Sequence, residues 1–115
     1  MATAAEIRNK AAKKMGLFGT GQTLRSEISA NLDEAYAEVY AQLSAKELVT
    51  WDIDEEVPDE FVDDVVTLVA YSRLDEYSVP TEKYQRIAAK VKYAIPNMRA
   101  LQASNMYKTP TADYF

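Results

Sequence analysis

The most apolar and most sharply bounded run of the sequence is PDEFVDDVVTLVAYSRL, residues 58–74. A proline suits the first turn of a helix and acids are favoured at its positive end, and the run carries Pro58, Asp59, Glu60, Asp63 and Asp64. The three-and-four spacing of one helical face is followed by Phe61, Val65, Leu68, Val69 and Ser72. This side is widened by Val62, Val66, Ala70 and Arg73. Because the run is too long for a typical strand and does not alternate, we predict a helix covered on two sides, around which the chain packs.

The composition excludes most of the usual catalytic chemistry. The 115 residues include no cysteine and no histidine, so the commonest general base, the thiolate nucleophile and the usual zinc ligands are all missing. An enzyme would have to work with carboxylates, Lys or Tyr alone, and we expect no enzyme, no cofactor and no metal. The length fits one domain with a modest core. With no membrane-span or signal-peptide pattern, we expect a soluble protein that is made in the cytosol.

The net charge of −5 conceals a segregation of charge along the chain. Residues 1–25 and 82–99 are basic, whereas residues 51–64 carry eight acids and no base. One interpretation is that these are solvated helix faces with acids placed by the helix dipole. The other is that they form complementary faces on neighbouring subunits or on a partner.

The first part of the chain predicts a short helix followed by a loop. The helix begins near Thr3, which forms a capping box with Glu6, and Gly16 ends it. Its inner face consists of Ala4, Ile7, Ala11 and Met15. Residues 16–23 contain all three glycines of the sequence and read as a loop. The stretch GLFGTG is not a phosphate-binding loop, because it lacks the Gly-Lys-Ser/Thr ending and follows a helix.

A second helix is predicted from Arg25 to about Lys46, with Thr23 or Ser26 as its cap. Its apolar face consists of Ile28, Leu32, Ala35, Tyr36, Val39, Tyr40 and Leu43. The stretch after it reads as a connector that could include a short extended pair. Its acids, Asp52 onwards, do not match a calcium loop, because the sixth position is a valine followed by a proline. They could also supply a carboxylate pair for hydrolysis, although nothing singles out two of them.

A fourth helix is predicted from Pro80, and its apolar spacing continues across Pro96. The proline should therefore bend the helix near residues 92–95 without ending it. The segment 105–115 has no helical period and is predicted to be an extended tail. It ends in Tyr114 and Phe115, which are costly to expose, so docking of the tail on a partner is favoured over a frayed end.

This order of elements resembles the head-to-tail adaptor proteins of tailed bacteriophages, also called connector or head-completion proteins. The resemblance covers nearly the whole chain and is carried by the spacing in PDEFVDDVVTLVAYSRL and by the basic helix with IPNMRALQA at residues 95–103. It implies an all-α, four-helix body, residues 1–104, and an extended C-terminal docking tail, residues 105–115.

The resemblance also implies a function and partners. The chain would be a virion protein of the head–tail neck, forming a homo-oligomeric ring, twelve copies in the family, beneath the portal protein and above a tail or nozzle protein. DNA would pass through the lumen without sequence-specific binding. The residues that would dock on the portal are Tyr107, Thr109, Pro110, Tyr114 and Phe115. Those that would face DNA or a neighbouring copy are Lys10, Lys13, Lys14, Lys90 and Lys92. The acidic residues of 51–64 would lower the affinity of the channel for DNA, so that the duplex can pass through it.

Two other classes of protein remain open. A nucleic-acid-binding regulator would use the basic first helix. Such a helix is expected to be joined to a partner helix by a short turn, whereas here the loop of residues 16–23 separates the first two helices. A small hydrolase would use paired carboxylates, and it would require two acids that converge in a pocket with a raised pKa.

Overall fold

The structure, a computed structural model, describes residues 1–17 and 23–111, with side chains up to residue 104. The described residues form four α-helices: α1 (Ala4–Met15), α2 (Ser26–Ala45), α3 (Asp59–Ser72) and α4 (Thr81–Thr111). A short 3-10 turn, Leu74–Glu76, lies between α3 and α4. Within the described ranges there is no β-strand, and the predicted all-α, four-helix class is confirmed.

Helix α3 is the centre of the fold and contacts α1, α2 and α4. Its buried residues are Phe61, Val65, Val66, Thr67, Val69 and Ala70. Burial of each large apolar side chain among them contributes about 1.5–3 kcal/mol. The predicted helix is confirmed, although it begins at Asp59, with Pro58 as the residue that precedes its first turn. It is enclosed by three helices, which explains why its apolar side is wider than a single stripe.

The predicted ends of α1 are confirmed. The Thr3 hydroxyl accepts a hydrogen bond of 3.2 Å from the backbone N–H of Glu6, and the Glu6 carboxylate accepts one of 3.1 Å from the N–H of Thr3. At the other end, Gly16 adopts the left-handed conformation with φ 76°. Just before the helix, Ala2 forms an antiparallel bridge with Val57, which is the one extended pair that the described part of the connector makes.

Helix α2 lacks the predicted cap. It begins at Ser26, and Arg25, the residue before it, makes no side-chain hydrogen bond to the first turn. The prediction that Thr23 or Ser26 caps it is wrong, because Ser26 is already helical and Thr23 precedes the residue at the cap position. The predicted apolar face is buried at Leu32, Ala35, Tyr36, Val39 and Leu43.

Helix α4 passes through Pro96 without interruption, as predicted, while the bend at this proline stays a prediction. The helix runs on to Thr111, so the prediction of an extended tail is wrong for residues 105–111. Ala, Gln, Met and Lys, which favour helices, are frequent after Leu101, and extending an existing helix is much easier than nucleating a new one. Residues 112–115 lie outside the described part of the chain.

No helix among the described residues has both the length and the apolar character required to cross a bilayer.

Candidate functional site

A groove of about 230 Å³ lies where α1, α3 and α4 meet. We call it the basic groove; its lining residues are Lys14, Thr67, Lys83, Arg86, Ile87 and Lys90. Three of the four cations lie on α4 at spacings of three and four residues, which places them on one face of the helix. The fourth, Lys14, lies in the last turn of α1, where the helix dipole favours a cation.

Asp63 holds two of these cations in place. Its Oδ1 is 3.3 Å from the Nζ of Lys14, and its Oδ2 is 3.6 Å from the Nζ of Lys90. Partial burial opposes ionisation of Asp63, but the two ammonium groups outweigh it and hold the pKa of this carboxyl below its usual value. A carboxylate beside the groove therefore already lies between two of its lysines.

The other two cations of the groove are less neutralised. Lys83 is half-buried and forms no ion pair within the described part of the chain. Arg86 is 3.8 Å from Glu82, one turn away, and both side chains are largely exposed. An exposed pair of this kind contributes at most about 1 kcal/mol. The positive charge that the groove presents to solvent therefore comes mainly from Lys83 and Arg86.

The structure brings together two of the five basic residues for which a role was predicted, Lys14 and Lys90. Lys10 lines a different pocket, with Met1, Ala2, Asp59, Val62 and Asp63. Lys92 is exposed and, at about 100° per residue, lies on the opposite side of α4 from Lys83. Lys13 is exposed on α1. Lys83 and Arg86 were not predicted as site residues, although their spacing to Lys90 was a signal that could have identified them.

The negative counterpart is the stretch 52–56, which we call the acidic loop. Its acids, all exposed, are Asp52, Asp54, Glu55 and Glu56. The flanking residues Trp51 and Val57 are buried, and they fix both ends of the loop. Within it, the backbone N–H of Asp52 donates a hydrogen bond of 2.8 Å to the Glu55 carboxylate. None of the ion pairs found among the described residues involves an acid of this loop.

The hydrolase hypothesis requires two carboxylates in one pocket. Asp63 and Asp64 come nearest to this requirement, because both line a pocket of about 290 Å³. Burial raises the pKa of Asp64, against a hydrogen bond from Asn97, while the pKa of Asp63 is lowered. Neighbouring residues of a helix point about 100° apart and do not face each other. The pair therefore has one raised pKa but lacks the converging geometry. No group of three or more potential metal ligands occurs among the residues that the structure describes.

The last contacts described between α4 and the rest of the fold lie near residue 102. Met98 is buried and Leu101 half-buried, and the side-chain amide of Gln102 donates a hydrogen bond of 2.7 Å to the carbonyl of Glu47. From residue 103 to Thr111 the helix continues for about 14 Å at its normal rise. Tyr107, Thr109 and Pro110 lie on this part, beyond the described side chains, whereas Tyr114 and Phe115 lie outside the described residues altogether.

These features define a small helical protein with separated positive and negative surfaces and a long last helix. No protein-family model, curated protein or solved structure matches the chain significantly.

Proposed function

We propose that this chain is a structural adaptor of the head–tail neck of a tailed phage. Copies of it would form a ring beneath the portal protein, contact a tail or nozzle protein below, and surround the path of the DNA. The observation that supports this proposal most directly is the separation of opposite charges on one small body.

A ring requires that two different faces of each subunit meet. The basic groove lies at the C-terminal end of α1, where Gly16 lies against Lys83. The acidic loop lies at the N-terminal end of α1, where Ala2 pairs with Val57. At 12 residues, α1 separates them by about 18 Å. A body with opposite charges at two such places suits head-to-tail association better than self-complementary pairing.

The last helix supplies the second argument. The portal contact is assigned to residues 105–115, and the first of them, 105–111, continue α4 as a helix. We therefore propose docking in the helix-in-groove manner instead of strand addition. Tyr107, Thr109 and Pro110 would contact the portal from this helix, with Tyr114 and Phe115 beyond it.

Co-sedimentation with the portal ring of the same phage tests the proposal. The full chain and a version that ends at Ser104 are compared, because the described contacts of α4 with the body end at Gln102. We expect the full chain to sediment with the portal ring. The shortened chain should have an unchanged melting temperature but should no longer sediment with the ring.

Point variants separate docking from length. Tyr107→Ala should weaken portal binding, whereas Tyr93→Ala, which removes an exposed aromatic side chain from the same helix, should not. If neither the full nor the shortened chain binds the portal, and the protein alone shifts duplex DNA at physiological salt, the proposal fails and the regulator hypothesis replaces it.

A further inference from the structure

We propose that the basic groove of one copy receives the acidic loop of the next, with Lys83 and Arg86 facing Asp54 and Glu56. This inference rests on the proposed function only in that it names the contact between neighbouring copies of the ring. It assigns a partner to a groove and a loop that the fold itself leaves without a counterpart.

The groove is suited to carboxylates. Four cations line it, and the carboxylate of Asp63, which lies beside the groove, pairs only with Lys14 and Lys90. Ile87 is buried in its wall, and a wall of low polarity strengthens a charge interaction relative to open water. Entering carboxylates would pair with Lys83 and Arg86.

The acidic loop is suited to enter it. The loop is held at both ends, because the Tyr40 hydroxyl donates a hydrogen bond of 2.7 Å to the carbonyl of Trp51 and Val57 is paired with Ala2. A loop that is already ordered loses little conformational entropy when it binds. Asp54 and Glu56 are exposed and take part in none of the described hydrogen bonds or ion pairs.

The loop cannot reach the groove of its own subunit. The two lie at opposite ends of α1, which is 12 residues long and so extends about 18 Å. An acidic loop that occupies the groove must therefore belong to another copy. The alternative occupant is the phosphate backbone of DNA. The net charge of −5 repels a long polyanion such as duplex DNA more strongly than it repels a second copy of this small chain, so we argue for protein acids.

Charge reversal on each side tests the contact. A groove variant carries Lys83→Glu and Arg86→Glu, and a loop variant carries Asp54→Lys and Glu56→Lys. Self-association is measured by sedimentation equilibrium of the full chain over a range of concentrations. Each variant alone should associate at least about tenfold more weakly than the natural chain, since like charges then face each other. An equimolar mixture should recover association, because each reversed surface meets the reversed surface of the other variant.

Matched controls carry the same change of charge elsewhere. Lys92→Glu with Arg99→Glu changes two exposed residues on the side of α4 opposite the groove, and Glu27→Lys with Glu34→Lys changes two exposed residues on α2. Neither pair should weaken association or restore it in a mixture. Raising the salt from about 50 mM to about 500 mM should weaken association of the natural chain, because salt screens exposed charges.

Two results would overturn the inference. In the first, the natural chain and the mixture of the two variants both stay monomeric at all concentrations and at low salt. In the second, the groove variant associates normally, whether or not it has lost binding of duplex DNA. These outcomes are independent of portal binding. If the chain binds the portal through its last helix but associates normally after charge reversal, the proposed function stands and the proposed contact between groove and loop is wrong.

Discussion

The indole N–H of Trp51 donates a hydrogen bond of 3.1 Å to the hydroxyl of Tyr36. Both side chains are buried, at 5% and 3% exposure. The indole also stacks on Phe61, with ring centroids 5.7 Å apart and an angle of 28° between the planes. Trp51 therefore ties the connector to α2 and α3, and it sets the position from which the acidic loop leaves the body.

Replacing Tyr36 by Phe should destabilise the fold. The substitution leaves the buried indole N–H of Trp51 without a partner, which costs about 1–3 kcal/mol in the free energy of unfolding. Urea unfolding followed by tryptophan fluorescence measures the loss, since Trp51 is the single tryptophan of the chain. Tyr93→Phe is the control: this side chain is 64% exposed, and the change should stay within about 0.5 kcal/mol. Equal effects of the two substitutions would contradict the role of the Tyr36 hydroxyl.

Arg73 joins the end of α3 to α2, and its replacement by Lys should not be conservative. Its Nη2 and Nη1 lie 2.8 and 3.2 Å from the two carboxylate oxygens of Glu38, and its Nε donates a bond of 2.9 Å to the side chain of Asn31. A lysine cannot reproduce this fork. We expect Arg73→Lys to reduce the free energy of unfolding by about 1–2 kcal/mol.

The matched control for Arg73 is Arg99→Lys, because Arg99 is exposed on α4. Chemical denaturation should give a change of less than about 0.5 kcal/mol for this control. The bond from Arg73, opposed by a small effect of burial, holds the pKa of Glu38 below its usual value. In the Arg73→Lys chain this pKa should move up towards the usual value, which NMR titration of the carboxyl can detect.

Two positions with left-handed backbone give predictions of opposite sign. Gly16 has φ 76°, and a Cβ there would lie 3.1 Å from Cδ of Lys83. Gly16→Ala should therefore lose about 1–2 kcal/mol. Glu47 has φ 60° without being a glycine, so Glu47→Gly should gain up to about 1 kcal/mol. Thermal unfolding followed by circular dichroism compares the two variants. Shifts of the melting temperature in the same direction would contradict the prediction of opposite effects.

Asp63 and Asp64 are neighbours whose substitutions should act in opposite directions. Asp64 has a pKa raised by burial, so its contribution to stability is full below the usual carboxyl pKa of about 4 and is lost as the pH rises through its folded value. Asp64→Asn should therefore raise the melting temperature at pH 7 and leave it unchanged at about pH 3.

Asp63→Asn should lower the melting temperature at pH 7, because it removes the partner of Lys14 and Lys90. Glu6, Glu38 and Asp63 all have lowered pKa values. Their contributions are present above the usual carboxyl pKa of about 4 and disappear as the pH falls below it. The natural chain should accordingly lose stability on acidification. Carboxyl groups usually titrate between about pH 3 and about pH 5. A melting temperature that rises as the pH is lowered through this range would contradict the predicted loss of stability.

The sequence was sufficient for those parts of the fold that are specified locally. The capping box of Thr3 and Glu6, the left-handed Gly16 and the apolar period of α3 are properties of neighbouring residues, and each was confirmed. The end of α4 was not predicted, because loss of the apolar period after Leu101 was read as loss of the helix. A helix can continue without an apolar face, because its backbone hydrogen bonds are made within the segment itself.

The candidate site could be predicted only in part for a related reason. The charge segregation and two members of the groove, Lys14 and Lys90, follow from the sequence. Their meeting at Asp63 depends on how α1 and α4 are set against α3, and no spacing along the chain reports this. Lys83 and Arg86 were overlooked as site residues because they stand in a generally basic stretch, and only the packing of three helices distinguishes them from Lys92.

The central place of α3 has a consequence for synthesis on the ribosome. Chains fold as they emerge, with the N-terminal part first. Helices α1 and α2 contact each other, but both also use α3 to cover their apolar faces, and α3 follows them in the sequence. During synthesis, the apolar faces of α1 and α2 therefore stay partly exposed until residue 72 has left the ribosome. Helix α4 is made after α3, so the long last helix is completed only once the other three helices have been made.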